Sequence, residues 1–254
     1  MLHSAKKLED MKIAALDGEI GSVDDVYFDD EKWVLRHLVV DTGTWLTGRK
    51  VLISPISVSN IDWTDAIVHV NLTREQVRSS PGIDSHKTVS RQHEVDLYNH
   101  YGYPYYWSGP YAWGYTVLPT LLEKEPLEDP ERQETRVRME ERGVDAHLRS
   151  CKEMIGYHIH ARDDTLGHVE DLLFDEDDWS IRQIAVDTRN WWPGKHVVIS
   201  PPHVERISWE LSEVFVDITR EALENGPEYD ATRMPFSTQS QSGQRPAGEP
   251  PRQP

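Results

Sequence analysis

Cysteine, basic charge and long apolar runs are all scarce in this chain, and each shortage closes off a class of function. Cys151 is the only cysteine among 254 residues, so no disulfide framework is available and a reducing compartment fits the composition. Lysine and arginine number 27 against 44 aspartates and glutamates, a formal charge of −17. Phosphate backbones and anionic lipid surfaces repel such a chain, which argues against nucleic acid as a partner. No run of ~18 apolar residues is present to span a bilayer. Met1 leads directly into charged sequence without the apolar core of a signal peptide. The expected location is the cytoplasm, with no integral membrane anchor and with peripheral association at the inner face of the cell membrane left open. No Ser-His-Asp, phosphate-loop or Gly-x-Gly-x-x-Gly arrangement stands out. The chain is expected to be non-enzymatic and to need no cofactor.

What the sequence does contain is an internal duplication. Shifted by 146 positions, residues 2–84 align with 148–230 without a gap, and 32 of the 83 pairs are identical, where composition alone gives roughly one in fifteen. The chain therefore divides into a first repeat (1–84), a connecting segment (85–147), a second repeat (148–230) and a tail (231–254). The tail is rich in Ser, Gln, Pro and Gly and is expected to be disordered.

Within each copy, short β-rich runs are separated by turn residues every eight to twelve positions, the pattern of a small antiparallel sandwich or barrel. Val23–Phe28 reads as a strand, 29–32 as its turn and Trp33–Asp41 as the returning strand, apolar on both faces and so buried on both. Lys50–Ile53, Ile61–Trp63 and Ile67–Leu72 read as further strands. Thr73 with Gln76 forms a capping box for a short helix through Arg78; in the second copy Thr219 is followed by Ala222, so half the box remains. The connecting segment opens with seven of the ten tyrosines, and its glycines and prolines argue against a helix over Asn99–Trp107. It closes with a charged helix expected at Glu131–Arg142, begun by Asp129-Pro130.

The pattern Gly-x-Val-x-Asp-x-x-Phe-Asp, Trp-x-x-Arg, Val-Asp-Thr and Val-x-Ile-Ser-Pro, at Gly21–Pro55 and again at Gly167–Pro201, resembles the PRC-barrel domain. The resemblance spans both copies and implies a mainly β chain of two small barrels in tandem, as in a free-standing bacterial protein. Named members include the cytoplasmic domain of the photosynthetic reaction centre H subunit and the C-terminal domain of a ribosome maturation factor. Both are binding modules. The resemblance thus implies a protein interaction or scaffold module with an unidentified protein partner. Two alternatives are an H-subunit-like auxiliary of a photosynthetic or electron-transport complex at the membrane face, and a small-molecule sensor with a cavity between the copies. The two copies are expected to pair within the chain as a homodimer of single barrels would, and a further homodimer is open.

Several residues merit individual readings. Asp25/Asp171, Asp29/Asp175 and Asp41/Asp187 recur in both copies. Acid–base chemistry requires two unlike carboxylates in one cleft, whereas duplication supplies equal sets in two domains, so turn and strand-end capping, with Arg36/Arg182 as partners, is preferred. The acidic run 175–178 lacks the spacing of a calcium loop. His158 and His160 face one side of an expected strand, but Lys12 and Ala14 replace them in the first copy and no third ligand is near, so no metal site is assigned. Cys151 is matched by Ala5 and reads as a small packed residue. Trp33 and Trp63, with Trp179 and Trp209, are expected in the core or between the copies. Trp45 and Trp191 occupy a loop, where they either plug the barrel or form an interface. Tyr101, Tyr103, Tyr105, Tyr106, Trp107 and Trp113, with Trp45 and Trp191, are the candidate partner-binding residues. The competing reading makes the aromatic segment an internal strap over the sheets.

Overall fold

The computed structural model describes residues 1–84, 89–121, 147–188 and 196–225. Trp191, the charged helix expected at 131–142 and the tail lie outside these ranges. The first copy forms β1 (Leu2–Ser4), β2 (Lys12–Ala15), β3 (Gly18–Asp29), β4 (Val34–Asp41), β5 (Lys50–Ile53), β6 (Val58–Asp62), β7 (Ile67–Val70), α1 (Arg74–Ser79) and β8 (Gly82–Ile83). Helix α2 (Arg91–Tyr101) follows in the connecting segment. The second copy forms β9 (Leu148–Ser150), β10 (His158–His160), β11 (Thr165–Asp175), β12 (Ile181–Asp187), β13 (His196–Ile199), β14 (Val204–Ser208) and β15 (Glu213–Val216).

The strands make two sheets, ordered β6-β7-β2-β3-β4-β5-β8 and β13-β12-β11-β10-β15-β14. Pairings are antiparallel except for β2 with β7 and β10 with β15. Among the described residues neither sheet closes on itself, so the expected barrels are found as two open, mainly antiparallel sheets. Bulges interrupt β3 between Val23 and Asp25 and between Tyr27 and Phe28, and β11 at the equivalent positions; each extra residue bends its strand. Gly21 and Gly167 have φ near +140°, and a Cβ there would collide with the carbonyl oxygens of Asp41 and Asp187, so only glycine lets the neighbouring strand approach. The capping box at Thr73 is formed in both directions, whereas Thr219 accepts only from the Ala222 N–H. Trp33 and Trp179 end the turns with φ of 55° and 60° rather than opening the following strands.

The copies exchange their first strands. β1 pairs with β11, placing Leu2 opposite Asp175, His3 opposite Phe174 and Ser4 opposite Leu173. Reciprocally, β9 pairs with β3, placing Leu148 opposite Asp29, Arg149 opposite Phe28 and Ser150 opposite Tyr27. A second reciprocal contact joins the turns: the Leu35 N–H donates to the Trp179 carbonyl (2.9 Å) and the Ile181 N–H to the Trp33 carbonyl (2.7 Å). One continuous apolar cluster then runs through both copies, from Ala5, Phe28 and Leu38 to Cys151, Phe174 and Leu223. The paired tryptophans line this junction. Trp63 stacks on His3 at 4.1 Å and donates to Glu176 (3.1 Å), and the Arg149 guanidinium lies 4.6 Å over Trp209. Trp33 and Trp179 pack on Phe28 and Phe174.

Candidate functional site

Two constructions on this frame carry the chemistry. The first anchors the exchanged strands. Asp25, buried in β3, accepts from the Val26 N–H (2.7 Å), from the Ser150 hydroxyl (2.6 Å) and from the Lys152 N–H (3.2 Å). Asp171 does the same with the Leu172 N–H, the Ser4 hydroxyl and the Lys6 N–H. Burial raises both carboxyls above the ordinary aspartate value, against the lowering effect of these donors. Asp25 and Asp171 are thus structural acceptors, each reaching across to the other copy. Asp29 likewise caps its turn through the Glu31 and Lys32 N–H groups and pairs with Arg36 at 3.0 Å.

The second construction is the aromatic strap. Ser90 caps α2 by accepting from the His93 N–H, and Gly102, at φ 70°, ends it. Glycine and proline therefore exclude a helix only from Gly102 onward, not over all of Asn99–Trp107. Tyr98 is the hub of a ring cluster with Tyr103, Tyr106 and Trp107, at centroid distances of 5.4–5.8 Å. Below it, Arg36 is fully buried: its guanidinium sits 3.8 Å from the Tyr106 ring, donates to the Ala112 carbonyl (2.6 Å) and pairs with Asp29. Its counterpart Arg182 pairs with Asp178 at 2.5 Å and leaves 49% of its side chain exposed. Glu94, buried in α2, accepts from the Tyr106 hydroxyl (2.7 Å) and pairs with Arg91 (2.7 Å). Burial pushes the Glu94 carboxyl up to about 7, with Arg91 pulling the other way. His37, under Tyr98, is driven down to about 3 by burial and is neutral.

Burial divides the eight candidate partner-binding residues. Tyr103, Tyr106 and Trp113 are buried inside the chain, and the Trp113 indole donates to the Asp178 carbonyl (2.8 Å), tying the strap to the second copy. The contact area of these three is taken up within the chain. Tyr101, Tyr105 and Trp107 are half-buried against the core, with Tyr105 stacked on Trp107 at 4.8 Å. Trp45 sits in a 3-10 turn, Gly43–Leu46, half-buried beneath Arg74 (4.7 Å) and Arg78 (5.8 Å) of α1.

On either side of Trp113 the strap turns outward. Tyr111, Tyr115, Val117, Leu118 and Leu121 are exposed, five of the eight large exposed apolar residues among those described. Their backbone is nevertheless fixed: Lys32 donates to the Tyr111 carbonyl, Thr116 to the Trp113 and Leu118 carbonyls, and Trp113 bridges to Thr116. Sequence reading missed Val117, Leu118 and Leu121, although the apolar run Val117-Leu118-Pro119-Thr120-Leu121-Leu122 beside the tyrosines was the available signal. An open cleft of about 640 Å³ lies elsewhere, lined by Lys6 of the first copy and by Ile155, His168, Glu170 and Asp187 of the second. No helix among the described residues is long and apolar enough to cross a membrane. No curated protein matches the chain. Residues 2–77, which end within α1, match the family model of the PRC-barrel domain, and this supports the PRC-barrel family for the first copy.

Proposed function

We propose that the chain is a non-catalytic protein interaction module of the cytoplasm, with two PRC-type copies locked together and a partner docking on the outward part of the strap. The observation that carries this reading is the set of exposed side chains Tyr111, Tyr115, Val117, Leu118 and Leu121, on a backbone whose Tyr111, Trp113 and Leu118 carbonyls accept from Lys32 and Thr116. Apolar side chains on a preordered backbone cost less entropy to bind, and exposed large apolar side chains close together in the chain are the material of an interaction surface. The partner is a protein with an apolar pocket and a basic rim, since a chain of net charge −17 draws basic surfaces by long-range attraction.

The test is a cross-linked pull-down of the tagged full chain from its own organism, beside a variant carrying Tyr115→Ser, Val117→Ser, Leu118→Ser and Leu121→Ser. One protein recovered with the parent chain and lost with the variant, at unchanged melting temperature, supports the reading. Equal recovery by both chains, or capture of membranes or of the chain itself alone, overturns it.

A further inference from the structure

The outer face of the second sheet carries a row of ionisable residues. In the register of the sheet, Asp187, His168, His158 and Glu213 stand opposite one another on β12, β11, β10 and β15. Opposed residues on neighbouring strands point to the same face, and the buried Ile159 and Val214 show that this row faces outward. The rings of His158 and His168 lie 5.1 Å apart between centroids, tilted by 31°.

We propose that His158 and His168 form a two-nitrogen site for a divalent transition-metal ion such as Zn²⁺ or Ni²⁺. The spacing fits. Two imidazoles on a tetrahedral zinc, each bound at about 2.0–2.1 Å, place their ring centroids roughly 5.2 Å apart. Imidazole donors select this group of ions over calcium or magnesium. His158 is exposed and His168 half-buried, and no other side chain is hydrogen-bonded to either ring among the described residues. No group of three or more ligand side chains is assembled there among the described residues; water completes the shell, with Glu213 in register beside His158 and Asp187 beside His168. His160, one step along the same face, lies 3.3 Å from Glu213 and 3.2 Å from the Thr165 hydroxyl.

The duplication supplies an independent argument. At the offset of 146, His158, His160, His168 and Glu213 correspond to Lys12, Ala14, Ser22 and Ile67. All four positions fall on one patch, and all four carry metal-ligating side chains in the second copy where the first has none. Divergence confined to surface drift has no reason to converge on this chemistry.

The experiment is titration of the full chain with ZnCl₂ in chelator-free buffer, followed by calorimetry and thermal melting. The expected result is one ion per chain and a raised melting temperature. His158→Gln and His168→Gln each weaken binding by more than the roughly 10–100-fold that loss of a supporting outer group costs, while His203→Gln, a histidine paired with Asp217 elsewhere, leaves it unchanged. Unaltered binding in the first two variants, equal loss in the third, or no heat from the parent chain overturns the proposal.

Discussion

Replacing Asp25 by alanine removes one side chain and three hydrogen bonds, two of which come from the other copy. The Val26 N–H is buried, and a buried donor left without an acceptor costs about 1–3 kcal/mol. Ser150 and Lys152 are nearer the surface, so water takes up their donors at the lower end of that range. Relief of a buried charge returns part of the loss, because burial works against the Asp25 carboxylate. The net expectation is a destabilisation of about 2–4 kcal/mol, or a fall in melting temperature of roughly 5–12 °C for a chain of this size. Asp25→Asn keeps an acceptor for the two N–H groups and is expected to cost less than about 1 kcal/mol. Asp171→Ala repeats the larger loss through Leu172, Ser4 and Lys6. The assay is urea unfolding at pH 7 followed by fluorescence of the junction tryptophans, with a double-mutant cycle between Asp25 and Ser150. An Asp25→Ala chain as stable as the parent, or a cycle with no coupling across the copies, would refute the reasoning.

Gly21→Ala and Gly167→Ala each drive a Cβ into a backbone carbonyl at a φ that L residues rarely adopt; each is expected to cost about 3 kcal/mol or more, measured by chemical denaturation. Glu94 has a folded value of about 7, above its unfolded one, so its stabilising contribution is full below about pH 4.5 and is lost as pH rises through 7, by roughly 3 kcal/mol. His37 acts oppositely: its folded value is depressed, and stability falls as pH drops below about 6.5. The two are separated by comparing stability curves of the parent and Glu94→Gln, whose difference should change between pH 5 and 8; a constant difference contradicts the assignment. Burial pushes the Cys151 thiol well up, so a thiol reagent should label it only at the rate of unfolding, and fast labelling in native buffer would contradict its packing.

Much of this architecture was legible in the sequence. Both-face apolarity foretold that Val34–Val40 of β4 is buried throughout, and Thr73 with Gln76 marked α1. The strand exchange was not legible, for a physical reason: Leu2 opposite Asp29 and Leu2 opposite Asp175 are the same pairing in a duplicated chain, so residue type cannot tell one copy from the other. Helix α2 was hidden because Glu94, Tyr98 and Tyr101 bury polar or aromatic groups where an amphipathic pattern shows aliphatic ones, although Ser90 and Gly102 mark its ends. The partner-binding residues were read from aromatic content. Content does not distinguish Tyr106, whose hydroxyl is spent on Glu94, from Tyr115, which is exposed.

The exchange of β1 and β9 underlies the junction and the shared core, and interstrand nuclear Overhauser contacts report it directly. The account predicts backbone contacts of His3 with Phe174 and of Arg149 with Phe28. Contacts of His3 with Phe28 and of Arg149 with Phe174 instead would show each copy keeping its own first strand, and would contradict it.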